Sequence, residues 1–162
     1  MEQTVWSTEF EIERIVDKYG NMLFRICLVM LCNKNDAEDV VQDTFITYLT
    51  KSPTFHDSEH EKAWLITVAT NRCKNLRRFN FKHKHIDIND LQLHCKNEEN
   101  YGLLEQLMKL PSKHKPVLLL YYVEGYKVDE ISSVLNISTS AVKKRLQRGR
   151  ELIREKYRKE NK

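Results

Sequence analysis

A helix-turn-helix is predicted over residues 127–148, and its second helix carries side chains that can contact DNA. Apolar residues at helical spacing give each of two short helices one apolar face, so the two faces can pack against each other and be buried. The opposite face of the second helix combines amine, amide, hydroxyl and guanidinium groups, which bond base edges and phosphates. The inner positions are Ile131, Val134, Leu135, Val142 and Leu146, and the outward positions are Thr139, Ser140, Lys143, Lys144, Gln147 and Arg148.

The start of this second helix offers a further contact. Ser138 is a favourable N-cap residue, and the backbone N–H groups at a helix N-terminus can donate to a phosphate. A helical hairpin with a basic, solvated face is the structural alternative. The spacing of the turn around Ile137 and the mixture of polar side chains favour the DNA-binding interpretation.

A second stripe with binding potential lies on an acidic helix predicted over residues 36–50. Asp39, Gln42, Asp43 and Ile46 fall at i, i+3, i+4 and i+7, so they share one helix face. An exposed Ile among acidic groups can form a docking edge for a partner that carries Lys or Arg. Taken alone, the pattern favours an ordinary solvated face over an interface.

Charge is distributed unevenly along the 162 residues. Residues 1–61 hold five Lys or Arg and twelve Asp or Glu, whereas residues 62–162 hold 22 and 11. The densest basic tracts are residues 72–85, with six cationic and no acidic side chains, and residues 143–162, with ten and three. A single basic run is usually a solvated helix face, but two runs flanking a linker favour a nucleic-acid ligand. The acidic head predicts a basic or mixed partner.

Long helices must position these groups. Only four Gly and three Pro occur, and Leu, Lys, Glu and Arg are frequent, which favours helices. In the first half of the chain, three potential capping residues are each followed by an acid three positions later, which predicts a cluster of three helices. The pairs are Thr8 with Glu11, Asn35 with Glu38 and Ser58 with Glu61, and the helices span about 9–31, 36–50 and 59–79.

A polar segment separates this cluster from a second helical unit. Residues 80–100 are rich in His, Asn and Lys without sustained periodicity, which is typical of a linker. Helices are then predicted to about residue 110, over 113–123 with Ser112 as cap, over 128–135, and from Ser138 to about Arg158. We therefore predict an all-α fold of two small helical domains, residues 8–80 and 101–158, joined by a linker at 81–100, with the helix-turn-helix in the second domain.

Ordered blocks of this sequence resemble the extracytoplasmic-function (ECF) group of bacterial RNA polymerase sigma factors. The resemblance extends from about Phe10 to Glu155, and the two helical units with a spacer agree with it. The blocks are DAEDVVQDTF at 36–45, KAWLITVATNR at 62–72, LP at 110–111, VLLLYYVEG at 117–125, EI at 130–131 and VKKRLQR at 142–148.

The resemblance implies roles for the first domain, which matches sigma region 2. Its acidic helix matches the segment that docks on the clamp helices of the core polymerase, so Asp39, Gln42, Asp43 and Ile46 become candidate polymerase-binding residues. Residues 64–78 match the segment that opens and reads the −10 promoter element, although Trp64 fits the core better than the DNA. The candidates for −10 binding are Asn71, Arg72, Lys74, Asn75, Arg77 and Arg78.

The second domain matches sigma region 4, whose helix-turn-helix reads the −35 element. The resemblance directs Lys143, Lys144 and Gln147 toward bases and Arg145 and Arg148 toward phosphates. It also suggests that the apolar run 117–123 faces both its own core and the polymerase flap. Family members are commonly held inactive by an anti-sigma factor, so such a partner is expected. The remaining candidates for −35 binding are Ser138, Thr139 and Ser140.

The helix-turn-helix departs from the family pattern at several positions. Lys127 stands where a Ser or Thr cap is usual, which predicts a slightly frayed first helix. Ser132 replaces a small apolar residue, and its hydroxyl is expected to bond back to the chain. Asn136 replaces the turn glycine, and Asn tolerates the left-handed conformation that such a turn needs. Thr139 replaces a common acid, which removes a repulsion toward phosphate.

Chemistry other than binding has little support in the sequence. His83, His85, His94 and Cys95 lack the compact spacing of zinc ligands. No glycine-rich phosphate loop and no nucleophile–base set occurs, so we expect no cofactor, no metal and no catalytic residue. No apolar run approaches the roughly 20 residues of a membrane helix. Residues 1–10 are too polar for a signal peptide, and the four cysteines form no CxxC pair, so we expect a cytoplasmic protein without membrane insertion.

Three functions remain open at this point. The first is a sigma factor, itself not an enzyme, that directs promoter-specific transcription initiation by binding core polymerase and recognising −10 and −35 elements. The alternative is a free-standing helix-turn-helix transcriptional regulator, which leaves the acidic helix and residues 64–78 without a purpose. The third is a small nucleic-acid-processing enzyme, for which the cluster of Asp57, Glu59 and His60 lacks a repeated carboxylate pattern.

Overall fold

The computed structural model describes residues 2–79 and 98–162, with the backbone alone at 2–7, 77–79 and 98–101. The chain divides into two compact units, Met1–Ile86 and Asp87–Lys162. The predicted all-α class is confirmed, since the regular elements throughout the described ranges are helices. Of the predicted linker, residues 81–97 lie outside the described residues, and residues 98–100 belong to a helix.

Unit 1 is a cluster of three helices, each of which packs against the other two. They are α1, Glu2–Leu31, α2, Lys34–Lys51, and α3, Ser58–Phe79. Burial of their apolar faces is the main force that holds the cluster together. The buried side chains include Ile15, Leu23, Ile26, Leu28, Val40, Phe45, Leu65, Ile66 and Ala69.

The predicted N-caps of unit 1 are wrong by one or more residues. Thr8 lies inside α1, because no Gly or Pro interrupts residues 2–8 and the helix begins at Glu2. The cap of α2 is Asn33 rather than Asn35: its backbone is extended, and its Oδ1 accepts from Asp36 N at 3.0 Å. At α3 the capping side chain is Asp57 rather than Ser58, since Asp57 Oδ1 accepts from His60 N at 2.8 Å.

Unit 2 begins with α4, Glu98–Met108. A short helix, α5, Lys115–Leu118, continues directly into a π-helical turn, Leu119–Val123. Ser112 is not the cap of this segment, because residues 112–114 form a turn and Pro116 sits in the first helical turn, where its missing N–H costs nothing. Gly125 ends the segment with a φ of 73°, as predicted.

The helix-turn-helix of unit 2 consists of α6, Val128–Leu135, and α7, Thr139–Glu160. The bounds of α6 agree with the prediction, and α7 is two residues longer. Both helices pack against each other, and α7 also packs against α5. The core of this unit contains Leu104, Leu107, Val117, Leu118, Leu119, Leu120, Ile131, Val134, Leu135, Val142 and Leu146.

Candidate polymerase and nucleic-acid interfaces

The four residues predicted to dock on polymerase lie together on the exposed face of α2. Asp39, Gln42, Asp43 and Ile46 are all exposed, and the Ile46 side chain is 58% accessible. The opposite face of α2 is buried through Ala37, Val40, Thr44, Phe45 and Tyr48. A single apolar side chain is also common on solvated helix faces, so exposure makes this stripe available to a partner but does not by itself mark an interface.

A buried carboxylate fixes this helix to its neighbours. Glu61 Oε1 accepts from Arg14 Nη1 at 3.1 Å and from Tyr19 OH at 2.9 Å. Glu61 Oε2 accepts from Arg14 Nη2 at 2.8 Å and from Tyr48 OH at 2.9 Å. The Arg14 guanidinium, aided by both phenols, lowers the pKa of Glu61 to about 2 against the opposing effect of burial. Sequence reasoning missed this cluster, because its members are scattered over three helices.

The cluster also shifts the acidity of its phenols. Burial, together with the bond to Glu61, raises the pKa of Tyr19 to about 12. Burial and the bonds to Glu61 and Glu11 raise the pKa of Tyr48 well above its usual range. The two tyrosines therefore stay protonated as donors at any physiological pH, and the carboxylate stays ionised as their acceptor.

The predicted −10 residues follow one another along the second half of α3. Asn71 and Asn75 are exposed, whereas Arg72 and Lys74 are half-buried. The Arg72 side chain lies against α2, with Nη1 3.8 Å from Asp43 Oδ2 and Nη2 donating to Thr47 Oγ1. The side chains of Arg77 and Arg78 lie outside the described residues. Trp64 is half-buried and packs edge-on against Tyr48 and Phe55, rather than deep in the core.

The turn of the helix-turn-helix has the predicted chemistry. Asn136 adopts the left-handed conformation, with φ 53° and ψ 50°. Ser132 Oγ donates to Ile137 O across the turn, which confirms that its hydroxyl bonds back to the chain. Ser138 Oγ accepts from Ala141 N at 3.1 Å and caps α7. Lys127 makes no side-chain cap, but its backbone N donates to Glu130 Oε2 at 2.9 Å, which replaces part of the missing cap.

The predicted −35 face of α7 is open to solvent. Its candidates are exposed except for Arg145, which is half-buried. Arg148 pairs with two acids of its own helix, Glu151 at 3.2 Å and Glu155 at 3.7 Å, so it reaches a phosphate only by leaving them. The exposed candidates are Ser138, Thr139, Ser140, Lys143, Lys144, Gln147 and Arg148.

Two residues that sequence reasoning missed hold the recognition helix in place. His114 is 4% exposed, and its Nδ1 lies 3.2 Å from Arg145 O in the middle of α7. A Cβ at Gly149 would lie 2.2 Å from Leu118 Cδ1, so a larger residue there would require the buried Leu118 side chain to shift. A lone glycine inside a helix is the one available sequence signal for such contact.

The apolar run 117–123 is divided between core and surface. Residues 117–120 are buried, whereas Tyr121 and Tyr122 are 36% and 44% exposed. The Arg150 guanidinium lies 5.7 Å from the Tyr121 ring and 5.5 Å from the Tyr122 ring, and its Nε donates to Tyr122 OH. The run therefore faces its own core, as expected, and the side chains of the two tyrosines supply the surface available to a partner. Contact of that surface with the polymerase flap stays a prediction.

The structure contains little that suggests other chemistry. Within residues 2–79 and 98–162, no group of three metal-ligating side chains converges. The cluster His83, His85, His94 and Cys95 lies outside the described residues. The side chains of Cys27, Cys32 and Cys73 are buried, and none of the three forms a disulfide within the described residues. In the described part of the chain, we find no helix whose length and hydropathy would suit a membrane span.

Comparison with protein families assigns both units. Residues 15–80 match the family model for Sigma-70 region 2, and residues 102–153 match that for Sigma-70, region 4. The chain is 30% identical over 160 residues to the ECF RNA polymerase sigma factor SigM of Bacillus subtilis, covering 90% of this chain and 94% of the relative. It is 28% identical over 163 residues to SigW of the same species, covering 89% and 87%. The chain belongs to the ECF RNA polymerase sigma factors.

Solved structures agree with this fold. CnrH, described in complex with the cytosolic domain of CnrY, superposes with a TM-score of 0.66 at 25% identity, covering 90% of this chain and 86% of that one. The sigma factor RpoE of Bartonella quintana, described with the anti-sigma factor NepR, gives a TM-score of 0.73 at 17% identity, covering 90% and 95%. The second likeness shows the shared fold alone.

Proposed function

We propose that this protein is the promoter-specificity subunit of a bacterial RNA polymerase, acting in the cytoplasm. It binds core polymerase, recognises −10 and −35 elements and thereby directs transcription initiation without catalysing a reaction itself. The observation that carries the proposal is the presence, in one chain, of an exposed acidic docking stripe on α2 and a complete helix-turn-helix with an open recognition face. A free-standing DNA-binding regulator needs only the second of these.

The proposed division of labour follows the two units. Residues 8–80 supply region 2, in which the α2 stripe docks on the clamp helices. The residues that hold the −10 strand are Asn71, Arg72, Lys74, Asn75, Arg77 and Arg78. Single strands bind through basic grooves that follow the backbone and through stacking groups, which suits this polar and basic stretch. Residues 101–158 supply region 4, in which Lys143, Lys144 and Gln147 read −35 bases and the flanking Ser, Thr and Arg groups contact phosphates.

Two further partners belong to the proposal. The exposed Tyr121–Tyr122 surface is the part of region 4 that suits the polymerase flap, because aromatic side chains and Arg are enriched at interfaces. An anti-sigma factor is proposed because RpoE, which shares this fold, is described in complex with the anti-sigma factor NepR. CnrH is described in complex with the cytosolic domain of CnrY.

Reconstitution with core polymerase tests the function. The purified chain, core polymerase and a set of promoter fragments with a pre-melted bubble are combined, and transcripts are counted with and without the chain. We expect initiation at specific sites that depends on the chain. Tight duplex binding without any effect on polymerase would support the free-standing regulator, and cleavage of the DNA would support an enzyme.

A further inference from the structure

The Arg72 side chain joins two surfaces that the proposed function gives to different ligands. It belongs to the basic stretch of α3, yet its Nη1 lies 3.8 Å from Asp43 Oδ2 on the docking stripe of α2. Its Nη2 donates to Thr47 Oγ1, and Thr47 Oγ1 donates in turn to Asp43 O at 2.8 Å. Arg72 is therefore attached to the same turn of α2 that carries a proposed polymerase contact.

The pair is placed where either ligand can reach it. The Arg72 side chain is 39% exposed and that of Asp43 is 56% exposed. The inner Nε of Arg72 is buried and has no hydrogen-bond partner among the described residues. The stem of Arg72 is thus packed against the protein, and the Nη end, together with the Asp43 carboxylate, forms the edge that is open to solvent.

This pair opposes both binding events in the free chain. A cationic group of polymerase that approaches Asp43 meets the positive charge of Arg72, and a phosphate that approaches Arg72 meets the negative charge of Asp43. An exposed ion pair is worth only about 1.4- to 5-fold in an equilibrium constant. It is therefore weak enough for a ligand to open and large enough to change an affinity measurably.

From these contacts we infer that Arg72 and Asp43 couple polymerase docking to binding of the melted −10 strand. The inference rests on the proposed function, in which Asp43 contacts polymerase and Arg72 contacts DNA. Whichever ligand binds first opens the pair, so the second ligand meets a side chain that is already released. By linkage, each ligand then strengthens the other by the same factor, which is at most the 1.4- to 5-fold value of the pair.

A double-mutant cycle measured on core polymerase tests one half of the coupling. Fluorescently labelled full-length chain is titrated with core polymerase in the absence of DNA at low salt. We expect Arg72→Gln to bind 1.4- to 5-fold more tightly than the natural chain, because the opposing charge is gone. In the Asp43→Asn background the same change should give no gain. Lys51→Gln, which removes an exposed positive charge eight residues further along α2, is the matched control and should gain less.

The same cycle measured on single-stranded DNA tests the other half. A short, mixed-sequence oligonucleotide is titrated with the free chain, and Asp43→Asn should raise its affinity 1.4- to 5-fold when Arg72 is present and not when residue 72 is Gln. Asp39→Asn, one turn away on the same stripe, controls for the general loss of negative charge. Thermal unfolding of each variant shows that the fold is retained, and Arg72→Met, which also removes the charge but keeps an unbranched apolar stem, replaces Arg72→Gln if the latter unfolds.

The outcomes separate this inference from the proposed function. If Arg72→Gln binds core polymerase no more tightly than the natural chain, or if its effect persists without Asp43, the coupling is wrong while the sigma-factor function stands. If the natural chain fails to bind core polymerase at all, the proposed function itself is wrong.

Discussion

At the scale of single residues, one carboxylate does most to define unit 1. Glu61 accepts bonds from Arg14, Tyr19 and Tyr48, and the last of these lies on α2, the helix proposed to dock on polymerase. Because the folded pKa is about 2 and the ordinary value is 4.5, the ionised carboxylate stabilises the folded state. That stabilisation is fully present above about pH 4.5 and is lost as the pH falls toward 2.

Replacing Glu61 by Gln should therefore destabilise unit 1. A shift of this size corresponds to about 3 kcal/mol in the free energy of unfolding at neutral pH, and Arg14 would keep only its exposed ion pair with Glu11. Urea unfolding followed by tryptophan fluorescence measures the loss, since Trp6 and Trp64 both belong to unit 1. Glu9→Gln, at an exposed position on α1, is the control and should change stability little. Equal stabilities of the two variants would contradict the role given to this cluster.

The exposed face of α7 leads to a second prediction at the scale of single residues. Lys143 and Gln147 are exposed one turn apart on α7, which suits contacts with neighbouring bases. Changing either to Ala should cost about 1–3 kcal/mol on the preferred −35 sequence and relax preference there. Affinities for a selected duplex and for base-substituted duplexes measure the effect. A uniform loss on all sequences would instead identify phosphate contacts.

At the scale of elements, the position of α7 depends on how closely α5 approaches it. A Cβ at Gly149 would lie 2.2 Å from Leu118 Cδ1 on α5, and His114 bonds to Arg145 O one turn earlier. These two contacts fix the depth and rotation of α7 in unit 2. The exposed side chains predicted to contact bases therefore depend on buried contacts between α5 and α7 in which none of them takes part.

Gly149→Ala should disturb the packing of α7 against Leu118 of α5. Its Cβ would lie 2.2 Å from Leu118 Cδ1, and Leu118 is itself only 1% exposed, so the neighbour has little room to move. Overpacking of this kind costs about 1–3 kcal/mol. Gly102→Ala is a matched control in the same unit, because its Cβ meets nothing within 4 Å, and it should be neutral or slightly stabilising. Thermal unfolding of both variants decides between these outcomes, and a Gly149→Ala chain as stable as Gly102→Ala would refute the close-approach argument.

His114 gives unit 2 a dependence on pH. Burial lowers the pKa of His114, and the nearby positive charges of Lys113, Arg145 and Arg148 act in the same direction, although the bond to Arg145 O opposes them. The unfolded chain, with an ordinary value of 6.5, then binds a proton that the folded ring resists. Stability of unit 2 should therefore fall as the pH drops below about 6.5.

A variant tests this dependence. His114→Asn keeps a donor near the position of Nδ1 but cannot titrate, so its unfolding should depend less on pH between 5 and 7 than that of the natural chain. NMR signals from α7 amides during urea unfolding report on this unit. Parallel pH profiles for the two chains would show that another group controls the stability of unit 2.

At the scale of the whole molecule, the proposed function requires both units to act in one complex with RNA polymerase. Reversing Asp39 and Asp43 to Lys should weaken binding to core polymerase and leave the fold nearly intact, since both side chains are exposed. Co-purification with polymerase measures binding, and circular dichroism measures folding. Unchanged co-purification would contradict the docking role of α2. Loss of helical signal in the same variant would show that the reversal had acted through folding.

Much of this molecule follows from local sequence. The spacing of Asp39, Gln42, Asp43 and Ile46 places them on one face of a helix whatever surrounds it, because side-chain direction in a helix depends on the 3.6-residue period alone. Asn136 and Ser138 likewise determine the turn and the start of α7 through bonds to nearby backbone. The all-α class, α6 and the exposed recognition face could therefore be predicted.

Only the tertiary structure decided which groups from distant segments meet. Glu61 and Arg14 are 47 residues apart, His114 and Arg145 are 31 apart, and Arg72 and Thr47 are 25 apart. Such contacts depend on how whole helices pack, and local propensity and periodicity carry no information about them. For the same reason the sequence assigned Arg72 to DNA and Asp43 to polymerase separately, whereas helix packing placed the two side chains together.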